Sequence, residues 1–197
     1  MGRIDISMRA VALFAAASLW AGAAPSPESL SAKRKLATIQ QGKAAPGSVV
    51  TFTPRDIDAW ARVEVPKVVP RGFRDPRVQL GEGEATGYAT VNFLEMRHAK
   101  PEDTNWLVSR LLEGERPLTV GVRVRSSGGW CTVDLTSVEI SGVAARGAVL
   151  DFLIRTFFLS LYPEAKIGKP FELGYRIERI EIHPGGLAVR ISGRRNK

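Results

Sequence analysis

The stretch LTVGVRVRSSGGWCTVDLTSVEI, residues 118–140, decides the fold class of this chain. Successive side chains of an extended strand point to opposite faces. Leu118, Val120, Val122 and Val124 therefore share one face, and Thr119, Arg123 and Arg125 share the other. Ser126-Ser127-Gly128-Gly129 has the composition of a hairpin turn. On the return strand Cys131, Val133 and Leu135 are apolar at odd positions, but Val138 and Ile140 are apolar at even ones. A change of phase within a continuing strand requires an extra residue, so a β-bulge is expected near Thr136-Ser137. Bulged antiparallel strands bend.

The same reading extends along the chain. From Arg77 to Glu95 the period is again two, with Val78 and Leu80 before Gly81 and Gly83, and Ala89, Val91 and Phe93 after them. The glycines predict a bend or hairpin there. Phe171, Leu173, Tyr175 and Ile177 are odd, whereas Ile180 and Ile182 are even, which predicts a second bulge in a last hairpin. Two short helices are expected beside the strands. One, near 54–64, opens on Thr53-Pro54-Arg55-Asp56, where Pro54 suits the first helical position and Asp56 answers Thr53 in a capping box. It should end by Val65, before Pro66. The other, near 103–113, follows Lys100-Pro101-Glu102-Asp103 and places Trp106, Leu107, Arg110 and Leu111 at helical spacing.

The segment 147–162 is different. Val149, Leu150, Phe152, Leu153, Ile154, Phe157, Phe158, Leu159 and Leu161 cover most of the circumference of a helix, with Asp151 and Arg155 as a narrow polar strip. A helix apolar nearly all round is buried on most sides or sits against lipid. The residues fit a central core helix and a groove-lining helix equally. The expected fold is thus α+β: a long curved antiparallel β-sheet wrapped around one strongly apolar helix.

Ahead of this domain, Arg3 and Arg9 precede an apolar run from Ala10 to Ala24 that ends in small residues, Ala21-Gly22-Ala23. These are the three zones of an export signal, and the run is shorter than the roughly 20 residues of a spanning helix. The alternative reading is an uncleaved membrane anchor. The expected organisation is a signal peptide at 1–23, a flexible linker at 24–48 rich in Ser, Ala, Lys and Pro with a weak helix near 28–41, one α+β domain at 49–192, and a basic tail at 193–197. The chain of 197 residues carries +8, and +7 once Arg3, Arg9 and Asp5 are removed with the signal. In the periplasm or cell envelope a basic protein is drawn to anionic membrane surfaces and envelope polymers; export argues against nucleic acid as a partner. The basic clusters Lys33-Arg34-Lys35 and Arg190, Arg194, Arg195 and Lys197 are equally consistent with solvated chain ends.

The chemistry-bearing residues are few. Cys131 is the single cysteine, so no intramolecular disulfide and no multi-cysteine metal site are available. Flanked by Trp130 and Thr132 in a strand, it reads as a small core residue. His98 and His183 each lack a second ligand in register, and no metal or cofactor is expected. Glu82 and Glu84 would stand about 7 Å apart on one strand face, a spacing a glycosidase could use, but their glycine neighbours point to an exposed bend. No Gly-x-Ser-x-Gly elbow and no phosphate-binding glycine pattern is present. A non-catalytic role is expected.

What the chain does have is apolar surface on bent strands. Trp60, Val91, Phe93, Val120, Val122, Val133, Phe152 and Phe157 are the candidate lining of a pocket for a lipid or other hydrophobic small molecule, with Arg123 and Arg125 as candidates to meet an anionic head group. A protein- or glycan-binding envelope module with an ordinary filled core uses the same residues. An envelope hydrolase is the third reading.

Several stretches resemble a known group. The helix opening Thr53-Pro54-Arg55-Asp56-Ile57-Asp58-Ala59-Trp60 is followed by Val138-Glu139-Ile140-Ser141-Gly142-Val143, the apolar helix, Phe171-Glu172-Leu173 and Ile177-Glu178-Arg179-Ile180-Glu181-Ile182. This order resembles the LmeA-like periplasmic phospholipid-binding proteins, relatives of the tubular lipid-binding (TULIP) domains, over roughly 49–192. The resemblance implies a curved antiparallel sheet around a helix, forming a hydrophobic groove. Asp58 and Ala59 stand where the related proteins often carry an asparagine.

Overall fold

The computed structural model describes residues 26–69, 71–96, 113–155 and 167–193. The signal-like start, residues 103–112 of the second expected helix, Phe157 and residues 156–162 of the apolar helix, and most of the basic tail lie outside them. The elements in chain order are α1 (Pro27–Gln40), β1 (Val49–Phe52), α2 (Pro54–Val68), β2 (Phe73–Leu80), β3 (Glu84–Asn92), the single turn α3 (Phe93–Met96), β4 (Glu115–Ser127), β5 (Trp130–Ile140), β6 (Val143–Ala144), α4 (Gly147–Leu153), β7 (Phe171–Glu172), β8 (Ile177–His183) and β9 (Gly186–Ile191).

Among the described residues all strand pairs are antiparallel and fall into two sheets. A six-stranded sheet runs β2-β3-β4-β5-β6, with β7 also on β5, and a three-stranded sheet runs β1-β9-β8. The larger sheet is open rather than closed. The molecule is α+β, as the sequence predicts, and both expected bulges are present. Gly121 pairs with Ser137 and Val122 with Leu135, so Thr136 is the extra residue of β5. In the last hairpin Ile177 pairs with Ile191 and Arg179 with Arg190, which leaves Glu178 as the extra residue. The β4–β5 turn is the two-residue loop Gly128-Gly129, with φ of 58° and 84°, a conformation that suits glycine because a Cβ would crowd it.

Three expectations change. Residues 26–48, the described part of the expected linker at 24–48, do not form a flexible linker. Ser26 caps α1, its hydroxyl accepting from the Ser29 N–H at 3.2 Å, and Pro27 occupies the first helical position. Ser29, Ala32 and Ile39 are buried, and Leu36 packs beside them. The folded unit therefore begins before Ser48. Second, α2 runs through Pro66 to Val68. Pro66 stands in the last turn, where its missing N–H costs one bond and the helix closes with the Val69 N–H on the Val65 carbonyl at 3.1 Å. Third, 171–177 is not one strand. Phe171 and Glu172 pair with Cys131 and Trp130 of β5, and Tyr175 and Arg176 then turn with φ of 56° and 58°.

The capping box of α2 is formed as expected. The Asp56 N–H donates to Thr53 Oγ1 and the Thr53 N–H to Asp56 Oδ2, each at 3.1 Å. Lys35 of α1 donates to the same carboxylate at 2.6 Å, so this buried acid ties the two helices together. Burial pushes its pKa up, but the Lys35 and Thr53 hydrogen bonds and the Lys35 charge outweigh that and hold it below the ordinary 3.8. A carboxylate depressed in the folded state adds stability above its unfolded pKa and loses it as pH falls through the folded one. The midpoint of urea unfolding should thus drop as pH falls below 3.8. Asp56→Asn should flatten that part of the profile and cost about 1 kcal/mol at neutral pH through the cap.

Two cores result. The first gathers Ala32, Ile39, Phe52, Cys131, Leu173, Ile177, Val189 and Ile191 between α1, the three-stranded sheet and the tip of the β4–β5 hairpin. The second gathers Val91, Phe93, Val138, Ile140, Ala145 and Leu153 at the other end of that hairpin, where α4 lies. The sheets also meet along β8. Its outward carbonyls at Glu178 and Ile182 accept from the N–H of Gly129 (2.7 Å) and Gly83 (2.9 Å). Between them, Ser126 Oγ bonds both the N–H (2.6 Å) and the carbonyl (2.7 Å) of Ile180.

Candidate functional site

The β4–β5 hairpin connects the two cores, and its apolar face is continuous from one to the other. Val124, Val133 and Cys131 belong to the first core; Leu118, Val120, Leu135, Val138 and Ile140 belong to the second. Val122, directly opposite Leu135, lies between them, half-buried and in neither core. Thr136 bulges out of β5 beside this midpoint. Among the described residues β6 pairs with β5 at Glu139 and Ile140 and β7 at Trp130 and Cys131, while the Val133 and Val138 carbonyls accept the N–H of Gly168 (2.9 Å) and Ala145 (2.8 Å). A cavity of about 230 Å³ opens at this place, floored by Leu135, Val138 and Leu150 and rimmed by Thr136, Ser137 and Arg146.

The expected lining residues are distributed as follows. Val120 and Val122 lie on the apolar face near its middle, both half-buried. Val133 and Trp60 pack against the first core. Val91 and Phe93 are 0% and 4% exposed inside the second core, closed off by protein rather than opening to a groove. Phe152 belongs to α4 by its backbone, while its side chain, like all of Phe157, lies outside the described residues. The described part of the apolar helix packs at one end of the sheet, through Val149, Leu150 and Leu153.

Arg123 and Arg125 stand on the opposite face, as strand alternation dictates. Both are engaged in ion pairs. Arg123 reaches Glu84 through Nε at 2.9 Å and Nη2 at 2.5 Å, and Arg125 Nη2 reaches Asp134 Oδ2 at 2.6 Å. They do not rim the apolar face. The charged residues lining the cavity are Glu139 of β5 and Arg146, the latter hard to find in the sequence because it sits in a loop between a two-residue strand and a helix. The bulge at Thr136 was its only signal.

The chemical groups are quiet. Burial pushes the Cys131 thiol up to about 11, so it is protonated near neutral pH and a poor nucleophile. Glu84 is held by Arg123, Glu82 is exposed in the β2–β3 turn, and neither lines the cavity. Among the described residues no group of three His, Cys, Asp or Glu side chains is placed to hold a metal ion, and no helix is long and apolar enough to cross a membrane.

No family model, curated protein or solved structure matches this chain. The reading of its function therefore rests on its own residues.

Proposed function

We propose that this protein is an exported, non-catalytic cell-envelope protein that binds a lipid or other hydrophobic ligand on the apolar face of the β4–β5 hairpin, in the manner of the LmeA-like and TULIP domains it resembles. The observation that carries this reading is the half-buried Val122 between the two cores, beside Val120 and Leu135 at the margin of the second, near a cavity lined by Leu135, Val138 and Leu150 with Arg146 and Glu139. The cavity of about 230 Å³ is smaller than the roughly 300–1,000 Å³ of small-molecule pockets. It suits a short apolar segment, such as part of one acyl chain, with the rest of the ligand lying along the strip. Covering that strip stabilises by about 25 cal/mol per Å² of apolar area removed from water. The charge of +8 favours an anionic lipid surface as the place where ligand is met.

Native mass spectrometry on the full chain, followed by solvent extraction, tests the proposal. Reproducible phospholipid or fatty acid in the extract is the expected result. Val122→Asp should reduce the lipid recovered about tenfold or more, by putting a carboxylate in the apolar strip, while circular dichroism stays unchanged. An apo mass that persists after incubation with envelope lipids would favour the interaction module, whose partner would then be a protein or glycan.

A further inference from the structure

A second concave site lies on another part of the surface and shares no residue with the cavity at Thr136. It is an open depression of about 340 Å³ between the first turn of α2 and the β2–β3 hairpin. Arg55, second residue of α2, stands on one side. Arg77 of β2 stands on the other, directly across the strand pair from Tyr88. Gln79, two residues along β2, shares its face, and the Tyr88 hydroxyl donates to Gln79 Oε1 at 3.1 Å. Pro54, Val78 and the exposed ring of Tyr88 supply apolar wall.

The charge balance of this depression is one-sided. Its single carboxylate, Asp58, is already committed: Oδ1 accepts the Val78 N–H at 3.0 Å and Oδ2 accepts from Arg62. That same contact docks α2 on the edge of β2, which brings Arg55 and Arg77 into the lining of one depression. Neither Arg55 nor Arg77 forms an ion pair among the described residues, and both are exposed. Two guanidiniums over one concave surface repel each other, and an anion between them removes that cost. Their planar donor forks match phosphate and carboxylate geometry. The tyrosine ring and proline offer a flat apolar wall to whatever carries the anion.

We propose that this depression binds a phosphate monoester on a ring or similar apolar body, its phosphate clamped between Arg55 and Arg77 and its body against Tyr88 and Pro54. The shared chemistry is phosphate beside apolar surface, and it is available from a free small molecule or from a phospholipid head group. The site is independent of the hydrophobic-ligand reading above and stands or falls separately.

Calorimetric titration of the full chain with phenyl phosphate tests it, with inorganic phosphate and phosphatidic acid vesicles in parallel. The expected result is saturable phenyl phosphate binding, about tenfold tighter than inorganic phosphate and weakened by salt. Arg55→Gln and Arg77→Gln should each weaken it about tenfold, and Tyr88→Leu should erase the advantage over inorganic phosphate. Arg55→Lys and Arg77→Lys, which keep the charge and lose the fork, should fall between. Binding to the vesicles alone, lost in the Gln variants, supports the site and makes the head group its source. Absence of saturable binding to both, or binding unchanged when both arginines become glutamine, overturns it.

Discussion

Gly186→Ala should destabilise the protein by about 3 kcal/mol, whereas Gly185→Ala, one residue earlier, should be nearly neutral. Gly186 opens β9 with φ of 149°, and a Cβ built there would lie 2.3 Å from the Phe52 carbonyl oxygen. That oxygen is backbone, in the last residue of β1, which pairs with β9 at Leu187. It cannot retreat without breaking the pairing that holds the three-stranded sheet together. At Gly185 the nearest atoms belong to the His183 ring, 3.1 Å away at Nδ1, and an exposed side chain swings aside at little cost. Urea unfolding of the two variants makes the comparison. Against the 5–15 kcal/mol of a typical domain, the first loss removes a large part of the folding free energy. Equal stability for the pair would mean that β1 and β9 meet differently from the way described.

Ala32→Asp should be at least as damaging, at about 4 kcal/mol. Ala32 is 0% exposed, in a stretch whose composition suggests a tether. It belongs to the first core with Ile39, Phe52, Val189 and Ile191, and Lys35, three residues on, already serves Asp56. The control is Leu30→Asp, on the outer side of the same helix at 44% exposure, which should change stability by no more than about 0.5 kcal/mol. A chain begun at Ser48 would lose α1 entirely, along with the two carbonyls, of Gly42 and Ala44, that receive Arg176 at 3.1 and 3.0 Å. It should lack the cooperative unfolding transition of the full chain. If Ala32→Asp unfolds like the parent, α1 is not part of the core.

The contrast between these residues shows where sequence speaks and where it falls silent. Bulges are legible because the period of a strand is two, so one inserted residue reverses the parity of everything after it; Thr136 and Glu178 both announce themselves in this way. The capping box at Thr53 and Asp56 is legible because both partners lie within four residues. Helix α1 carries its stripe as Ser29, Ala32, Leu36 and Ile39, at spacings of three and four. Two of these four side chains are small or polar, and the surrounding Ser, Ala and Lys conceal the pattern. The break after Phe171-Glu172 was hidden because Leu173 and Tyr175 preserve the alternation across a turn.

Sites are harder because they depend on register between distant strands. Nothing local to Arg123 says that Glu84 will be its cross-strand partner; that follows from how β3 lies on β4. Likewise Arg55 and Arg77 line one depression because α2 docks on the β2 edge, a contact to which the Val78 N–H on Asp58 contributes. The apolar face was correctly read as a face. Its division between two cores, with Val122 in neither, is a matter of what packs on it, and alternation carries no information about that.

The treatment of strand edges has a consequence for behaviour at high concentration. An exposed edge offers a ladder of free donors and acceptors on which a second chain can add a strand, the first step toward fibrils. Here β8 spends its outward groups on Gly83, Ser126 and Gly129. On β2, Pro76 has no N–H to give, Asp75 kinks the strand with φ of 50°, and Asp58 occupies the Val78 N–H. β6 is two residues long, and β1 four. The bulge at Thr136 misaligns the open part of β5. Among the described residues these edges are short, kinked or already bonded, features that disfavour templated growth on a long, valine-rich hairpin.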